Sequence, residues 1–98
     1  MGLEESLRER LERYLEITQR ALTVVRLSPP SRSFLYKGGE DFLGMARSYY
    51  QDALHFRDEG DLPRALAAVS YAHGWIDAGV RLGLLDGGED DQTFTQYS

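Results

Sequence analysis

The sequence contains no cysteine, which excludes a disulfide scaffold, a zinc ribbon and catalysis by a thiol. It also lacks any apolar stretch near the ~20 residues that a membrane-spanning helix needs, and nothing in it resembles a signal peptide. We therefore expect a cytoplasmic protein. Its 98 residues are 42% hydrophobic and 28% charged, which is ordinary for one globular domain and argues against general disorder.

Charge is unevenly distributed along the chain. The formal net charge of −5 disfavours broad electrostatic capture of nucleic acid. No acidic residue lies between Glu16 and Glu40, whereas the basic residues Arg20, Arg26, Arg32 and Lys37 all lie there. This segment is either a solvated stretch with scattered cations, the interpretation we favour, or a small anion-binding strip.

The first segment has the pattern of a long amphipathic helix over residues 3–27. Its apolar stripe recurs at steps of four and three positions, through Leu7, Leu11, Tyr14, Thr18, Ala21 and Val25. Pro29 and Pro30 end this helix. We predict a connector over residues 28–39, in which Phe34 and Tyr36 either fasten the loop to the bundle or, if exposed, form a docking point for a partner protein.

Two further helices are predicted, over residues 40–59 and about 62–85. Between them, Gly60 can take the left-handed conformation that ends a helix, and Asp61 is suited to cap the next one. So short a connection makes the two helices an antiparallel hairpin. The predicted fold is all-α: a three-helix bundle with the long N-terminal helix packed on the hairpin. Residues 89–98 are expected to form a mobile tail.

Small residues are frequent in the third helix, among them Gly74, Gly79 and Gly83. Each glycine inside a helix costs up to about 1 kcal/mol relative to alanine. We expect that cost to reflect packing or a close contact. Aromatic residues of the hairpin are expected in the core or at a protein interface, namely Tyr49, Tyr50, Tyr71 and Trp75.

The hairpin sequence resembles a known family over about forty residues, from Ser48 to Leu85. The shared elements are Tyr-Tyr-Gln-Asp-Ala at 49–53, Gly60-Asp61 and, most specifically, Tyr-Ala-His-Gly-Trp-Ile-Asp-Ala at 71–78. The chain is similar here to an uncharacterised archaeal family catalogued as domain of unknown function 357. The resemblance implies a small all-helical bundle from an archaeal cytoplasm and carries no activity, substrate or cofactor with it.

Three polar residues of the hairpin are candidates for chemistry. His73 and Asp77 lie four positions apart on one helix, so both can project to one side. Asp52 on the other helix is a possible third member. Such a cluster is either a buried hydrogen-bond network, in which Asp77 accepts a proton from His73, or a metal or small-ligand site. We favour the structural interpretation and predict neither a metal nor a cofactor.

No catalytic motif is present. Ser48 and Ser70 have no Gly-x-Ser-x-Gly elbow around them, and the Gly-Gly pairs at 38–39 and 87–88 are expected to be turns. We therefore name no catalytic residue and expect a non-catalytic interaction or assembly domain, either self-associating or part of a larger complex. The first alternative is an accessory RNA-associated protein that uses segment 20–37. A metal- or small-ligand-dependent enzyme comes last.

Overall fold

A computed structural model describes residues 2–31 and 33–87, which form three helices. They are α1 (Leu3–Val24), α2 (Phe34–Asp58) and α3 (Leu62–Arg81). Helices α2 and α3 pack closely as an antiparallel hairpin, and α1 lies mainly against α3. The predicted three-helix bundle with its N-terminal helix on the hairpin is therefore confirmed. The predicted tail over residues 89–98 lies outside the described residues.

Glycine ends both helices of the hairpin in the same way. Gly60 and Gly83 have φ angles of 80° and 78°, which L residues with a side chain rarely adopt. After each glycine, the next amide donates back into the last turn, from Asp61 to Phe56 and from Leu84 to Gly79, both at 2.9 Å. The predicted helix end at Gly60 is confirmed. The predicted end of α3 near residue 85 is wrong, because Gly83 ends the helix before Gly87 is reached.

Helix α2 begins six positions earlier than predicted. Ser33 is its N-cap, and the Ser33 hydroxyl accepts a hydrogen bond from the Tyr36 amide at 3.1 Å. Gly38 and Gly39 therefore lie inside the helix and form no turn. Gly39 is closely covered, since a Cβ there would meet Leu27 Cδ2 at 2.8 Å and the carbonyl oxygen of Leu84 at 3.0 Å. The predicted connector over 28–39 is shortened accordingly.

Two short strands close the open end of the hairpin. Strand β1 (Arg26–Leu27) pairs antiparallel with β2 (Leu85–Asp86), so that Leu27 lies opposite Leu85. The predicted first helix therefore ends too late, since Val25 is already extended, with a ψ of 143°. The pairing brings Leu85 into a small core cluster with Val25 and Leu43.

The main core lies where α1 crosses the hairpin. Leucines from α1 meet small residues of α2 and α3, which let the helices approach closely; the buried members are Leu11, Leu15, Ala53, Leu62, Ala65, Ala68 and Val69. The apolar side chains that form this core thus follow one stripe of each helix. Within residues 2–31 and 33–87, no helix combines the length and the apolar run that crossing a bilayer needs.

Tyr50 connects α2 to this core. Burial raises the pKa of the Tyr50 phenol above its usual value of 10.0; Arg57 opposes the shift and Glu12 adds to it. Arg57 and Glu12 themselves form an ion pair between α2 and α1, with 3.7 Å between Nη1 and Oε2. The phenol is therefore favoured in its neutral form in the folded protein.

This raised pKa predicts a loss of stability in alkaline solution. Below the pKa of the unfolded chain, Tyr50 is neutral in both states and its contribution is fully present. As pH rises through the folded pKa that contribution is lost, because the unfolded chain ionises first. We expect the free energy of unfolding to fall more steeply above pH ~10 in the wild type than in Tyr50→Phe, measured by urea denaturation across a pH series. Parallel curves for the two proteins would contradict this.

Candidate functional site

The α2–α3 hairpin has one side covered by α1 and one side that α1 leaves open. Tyr50 of α2 and Val69 of α3 pack in the core that α1 covers. Positions two apart on a helix project to nearly opposite sides, since each residue turns the helix by about 100°. Tyr71 therefore projects away from α1, and it is 61% exposed.

We call this open side the outer face. Its residues recur at steps of three and four positions along both helices, the spacing of a helix-packing stripe. They are Phe34, Gly38, Phe42, Met45, Tyr49, Asp52 and Phe56 on α2, and Arg64, Ala68, Tyr71, Trp75, Ala78 and Leu82, the last at the C-cap of α3. Phe56 and Ala68 lie at the edge of this face, since both also pack in the main core.

Aromatic contacts join α2 to α3 along the outer face. Ring pairs at these separations favour edge-to-face or offset-stacked geometry, and a guanidinium is attracted to a ring face. From the open end of the hairpin to its turn, the contacts are Phe42 with Trp75 at 5.0 Å, Tyr49 with Tyr71 at 5.3 Å and Arg64 over Phe56 at 5.9 Å. These contacts hold the rings in place and leave part of them open to solvent.

Apolar area is concentrated on this face. Phe34 is 87% exposed and Leu82 is 66% exposed, and the antiparallel hairpin places both near its open end. Only Asp52 and Arg64 carry a charge within the stripe. Exposed apolar side chains gathered on one face are typical of interaction surfaces.

The two docking residues predicted from the connector lie in the first turn of α2. Phe34 extends the outer face, whereas Tyr36 is half-buried. Because they are two positions apart on a helix, they project to nearly opposite sides. Phe34 is thus an exposed apolar residue, as the predicted docking point for a partner protein requires. Tyr36 does not share its surface.

The predicted basic strip is divided among separate elements. Arg20 lies on α1, where its Nη2 is 3.8 Å from Glu16 Oε1. Arg26 lies in β1 and Lys37 in α2, and both are exposed. Arg32 lies outside the described residues. Anion binding by this strip stays a prediction.

The three residues of the predicted polar cluster, Asp52, His73 and Asp77, do not all lie on one side of the hairpin. His73 is half-buried on the side of α3 that faces α1, whereas Asp52 is exposed on the outer face. Asp52 therefore lies on the opposite side of the hairpin from His73. His73 lines a cavity of ≈ 120 Å³ between α1 and α3, together with Tyr14, Ile17, Thr18, Val69 and Ser70.

Asp77 is paired with Arg81, which was not predicted as its partner. It is 6% exposed, and its Oδ2 accepts a hydrogen bond from Arg81 Nε at 3.0 Å. Its other oxygen, Oδ1, is buried without a hydrogen-bond partner in the described structure. The predicted bond from His73 to Asp77 stays a prediction. Among the residues described, no three His, Asp or Glu side chains are grouped so that they could hold a metal ion.

The outer face was not predicted as a site from the sequence. Tyr49, Tyr71 and Trp75 were expected in the core or at an interface, with no indication of which side of the hairpin they share. The available signal is the seven-residue spacing of Phe42, Tyr49 and Phe56, since residues seven apart lie on the same side of a helix.

Comparison with known proteins gives a family and a fold. The family model described as "Protein of unknown function (DUF357)" matches residues 13–85, which confirms the resemblance noted in the sequence. The crystal structure of protein AF1782 from Archaeoglobus fulgidus, also described by DUF357, is similar to this chain with a TM-score of 0.72 and 27% identity; the match covers 87% of this chain and 97% of AF1782. No curated protein matches the chain.

Proposed function

Because this chain belongs to the DUF357 family, whose function is unknown, we propose a role from its own surface: it is a non-catalytic module that binds another protein through the outer face. The observation that carries the proposal is the open aromatic side of the hairpin, where Tyr71 is 61% exposed beside Tyr49. Tyrosine and tryptophan are enriched among the residues that contribute most to affinity at protein interfaces.

The geometry of the outer face supports contact with a helix or a helical protein. Its apolar residues recur at the three- and four-residue steps by which helices pack against one another. Tyr71 is anchored by Tyr49, so little side-chain entropy would be lost when a partner covers it.

We propose that the protein acts in the cytoplasm of an archaeon. AF1782 comes from Archaeoglobus fulgidus, and a chain without cysteine is compatible with a reducing compartment. An archaeal lysate is therefore the source of partners for the test.

The test is site-specific photo-crosslinking in that lysate. A photoreactive phenylalanine analogue replaces Tyr71 in one protein and Gln51 in a matched control, since Gln51 is also exposed but lies off the outer face. We expect a discrete crosslinked protein from position 71 and none from position 51, identified by mass spectrometry.

Three outcomes would contradict the proposal. Equal crosslinking from positions 71 and 51 would show that the outer face is not the contact surface. No crosslink at all would argue against a protein partner. A crosslinked species that ribonuclease removes would favour the RNA-associated alternative instead.

A further inference from the structure

The partner of the outer face can be inferred from the pattern of its own side chains. We propose that the outer face binds a second copy of this chain, and that the two hairpins form a four-helix arrangement with α2 of each copy over α3 of the other. This inference rests on the proposed function and names the partner at the same surface.

Exposed apolar area is the first argument. With ~200 Å² for an aromatic side chain, Phe34 at 87% and Tyr71 at 61% exposure offer roughly 300 Å² together. Leu82 at 66% and Met45 at 38% exposure add to this. The smallest specific interfaces need on the order of 500 Å² from each partner, and two facing copies of this face approach that area.

Charge placement is the second argument and decides the arrangement. The two charged residues of the stripe have opposite signs, and both lie near the α2–α3 turn, Asp52 on α2 and Arg64 on α3. A two-fold axis parallel to the helices places α2 of one copy antiparallel to α3 of the other. The α2–α3 turns of the two copies then lie at the same end of the dimer. Each Asp52 then comes within about one helical turn of Arg64 of the second copy, an offset of ~5 Å that an arginine side chain spans.

The other face-to-face arrangement is disfavoured by the same charges. A two-fold axis perpendicular to the helices would reverse one hairpin end for end. Asp52 and Arg64 would then be buried against the apolar open end of the other copy, around Phe34 and Leu82. Asp52 would lose water without gaining a partner, and Arg64 would keep only Asp61 of its own chain, 3.5 Å away.

The parallel axis also brings the central rings together. Tyr49 and Tyr71 lie at the same level of the hairpin, because they stack within one chain at 5.3 Å. In the proposed pair, Tyr71 of each copy therefore lies over Tyr49 of the other. The centre of the interface would then hold four tyrosine rings, with an Asp52–Arg64 pair on each side toward the turn.

The experiment measures the mass of the full chain by sedimentation equilibrium over a concentration series. We expect a dimer for the wild type and a monomer for Tyr71→Glu with unchanged helix content. Gln51→Glu, which adds the same charge at an exposed position off the face, should dimerise like the wild type.

Charge exchange tests the arrangement. Asp52→Arg and Arg64→Asp should each weaken dimerisation by about tenfold or more, because each places like charges opposite one another. The double variant, with both exchanges, should recover the affinity of the wild type within about threefold. Failure of the double variant to recover overturns the α2-over-α3 arrangement.

A wild-type chain that stays monomeric at every accessible concentration overturns self-association, as does a Tyr71→Glu variant that still dimerises. These results leave the proposed function to be decided separately. A monomer whose Tyr71 position crosslinks a different archaeal protein would retain an interaction role, whereas a monomer with no such crosslink would lose both.

Discussion

Gly79→Ala should lower the free energy of unfolding by about 1–3 kcal/mol, although alanine is the better helix former. A Cβ at Gly79 would meet Leu85 Cδ1 at 2.5 Å and Cγ at 2.8 Å. Leu85 is 2% exposed and packs with Val25 and Leu43, so it has little room to move aside. Because overpacking a filled core costs more than the gain in helix propensity, the net effect is destabilising.

Gly74→Ala is the matched control on the same helix. Apart from its chain neighbours and the backbone of its own helix, nothing lies within 4 Å of a Cβ built at Gly74. This substitution should therefore raise the free energy of unfolding by up to about 1 kcal/mol. Urea denaturation of both variants and the wild type measures the contrast. Similar stabilisation by the two substitutions would mean that Leu85 repacks at no cost.

These two glycines show what a sequence pattern can and cannot predict. Both stand inside the predicted third helix, and both were expected to reflect packing or a close contact. In the structure Gly79 has such a close contact, because Leu85 of β2 packs against it, whereas Gly74 is exposed to solvent. Which of two glycines is covered depends on a strand that follows the helix, and helical periodicity carries no information about it.

Local chemistry predicted the hairpin well. The left-handed Gly60 and the capping Asp61 act through atoms within a few positions of themselves, so the sequence around them is sufficient. Structure between distant segments was missed. Arg26 pairs with Asp86 about 60 positions later, and no local pattern in two-residue strands indicates such a partner.

The start of α2 was misplaced for the same reason. A Gly-Gly pair after two prolines is typical of a turn, yet Gly39 lies inside the helix because Leu27 and Leu84 pack against it. Ser33, the true N-cap, stood unmarked among several serines of the connector.

The candidate site shows the same limit. The seven-residue spacing of Phe42, Tyr49 and Phe56 is consistent with the one face of α2 that they share in the structure. This spacing does not indicate which side of the hairpin α1 covers, because that depends on the packing of α1 against α3. The exposed side of the hairpin, and with it the outer face, is therefore a property of the assembled bundle.

The second large effect is expected at the buried carboxylate of Asp77. Arg81→Met should lower the free energy of unfolding by about 1–3 kcal/mol, because it removes the charged donor 3.0 Å from Asp77 Oδ2 and leaves a buried carboxylate. The Arg81 side chain is 56% exposed and that of Asp77 is 8% exposed. The expected loss is therefore smaller than for a pair buried at both ends, since water screens the arginine.

Replacing both Asp77 and Arg81 should lower the free energy of unfolding less than replacing Arg81 alone. In Asp77→Leu with Arg81→Met, no charge is left buried and two apolar side chains take the place of the pair. A double-mutant cycle on the free energies of unfolding isolates the coupling between Asp77 and Arg81 from other effects of each substitution.

The same cycle with His73→Leu tests His73, the partner of Asp77 predicted from the sequence. We expect the coupling of Asp77 to Arg81 to exceed its coupling to His73, because Arg81 carries a full charge at hydrogen-bond distance. A larger coupling to His73 would support the histidine–aspartate pair predicted from the sequence.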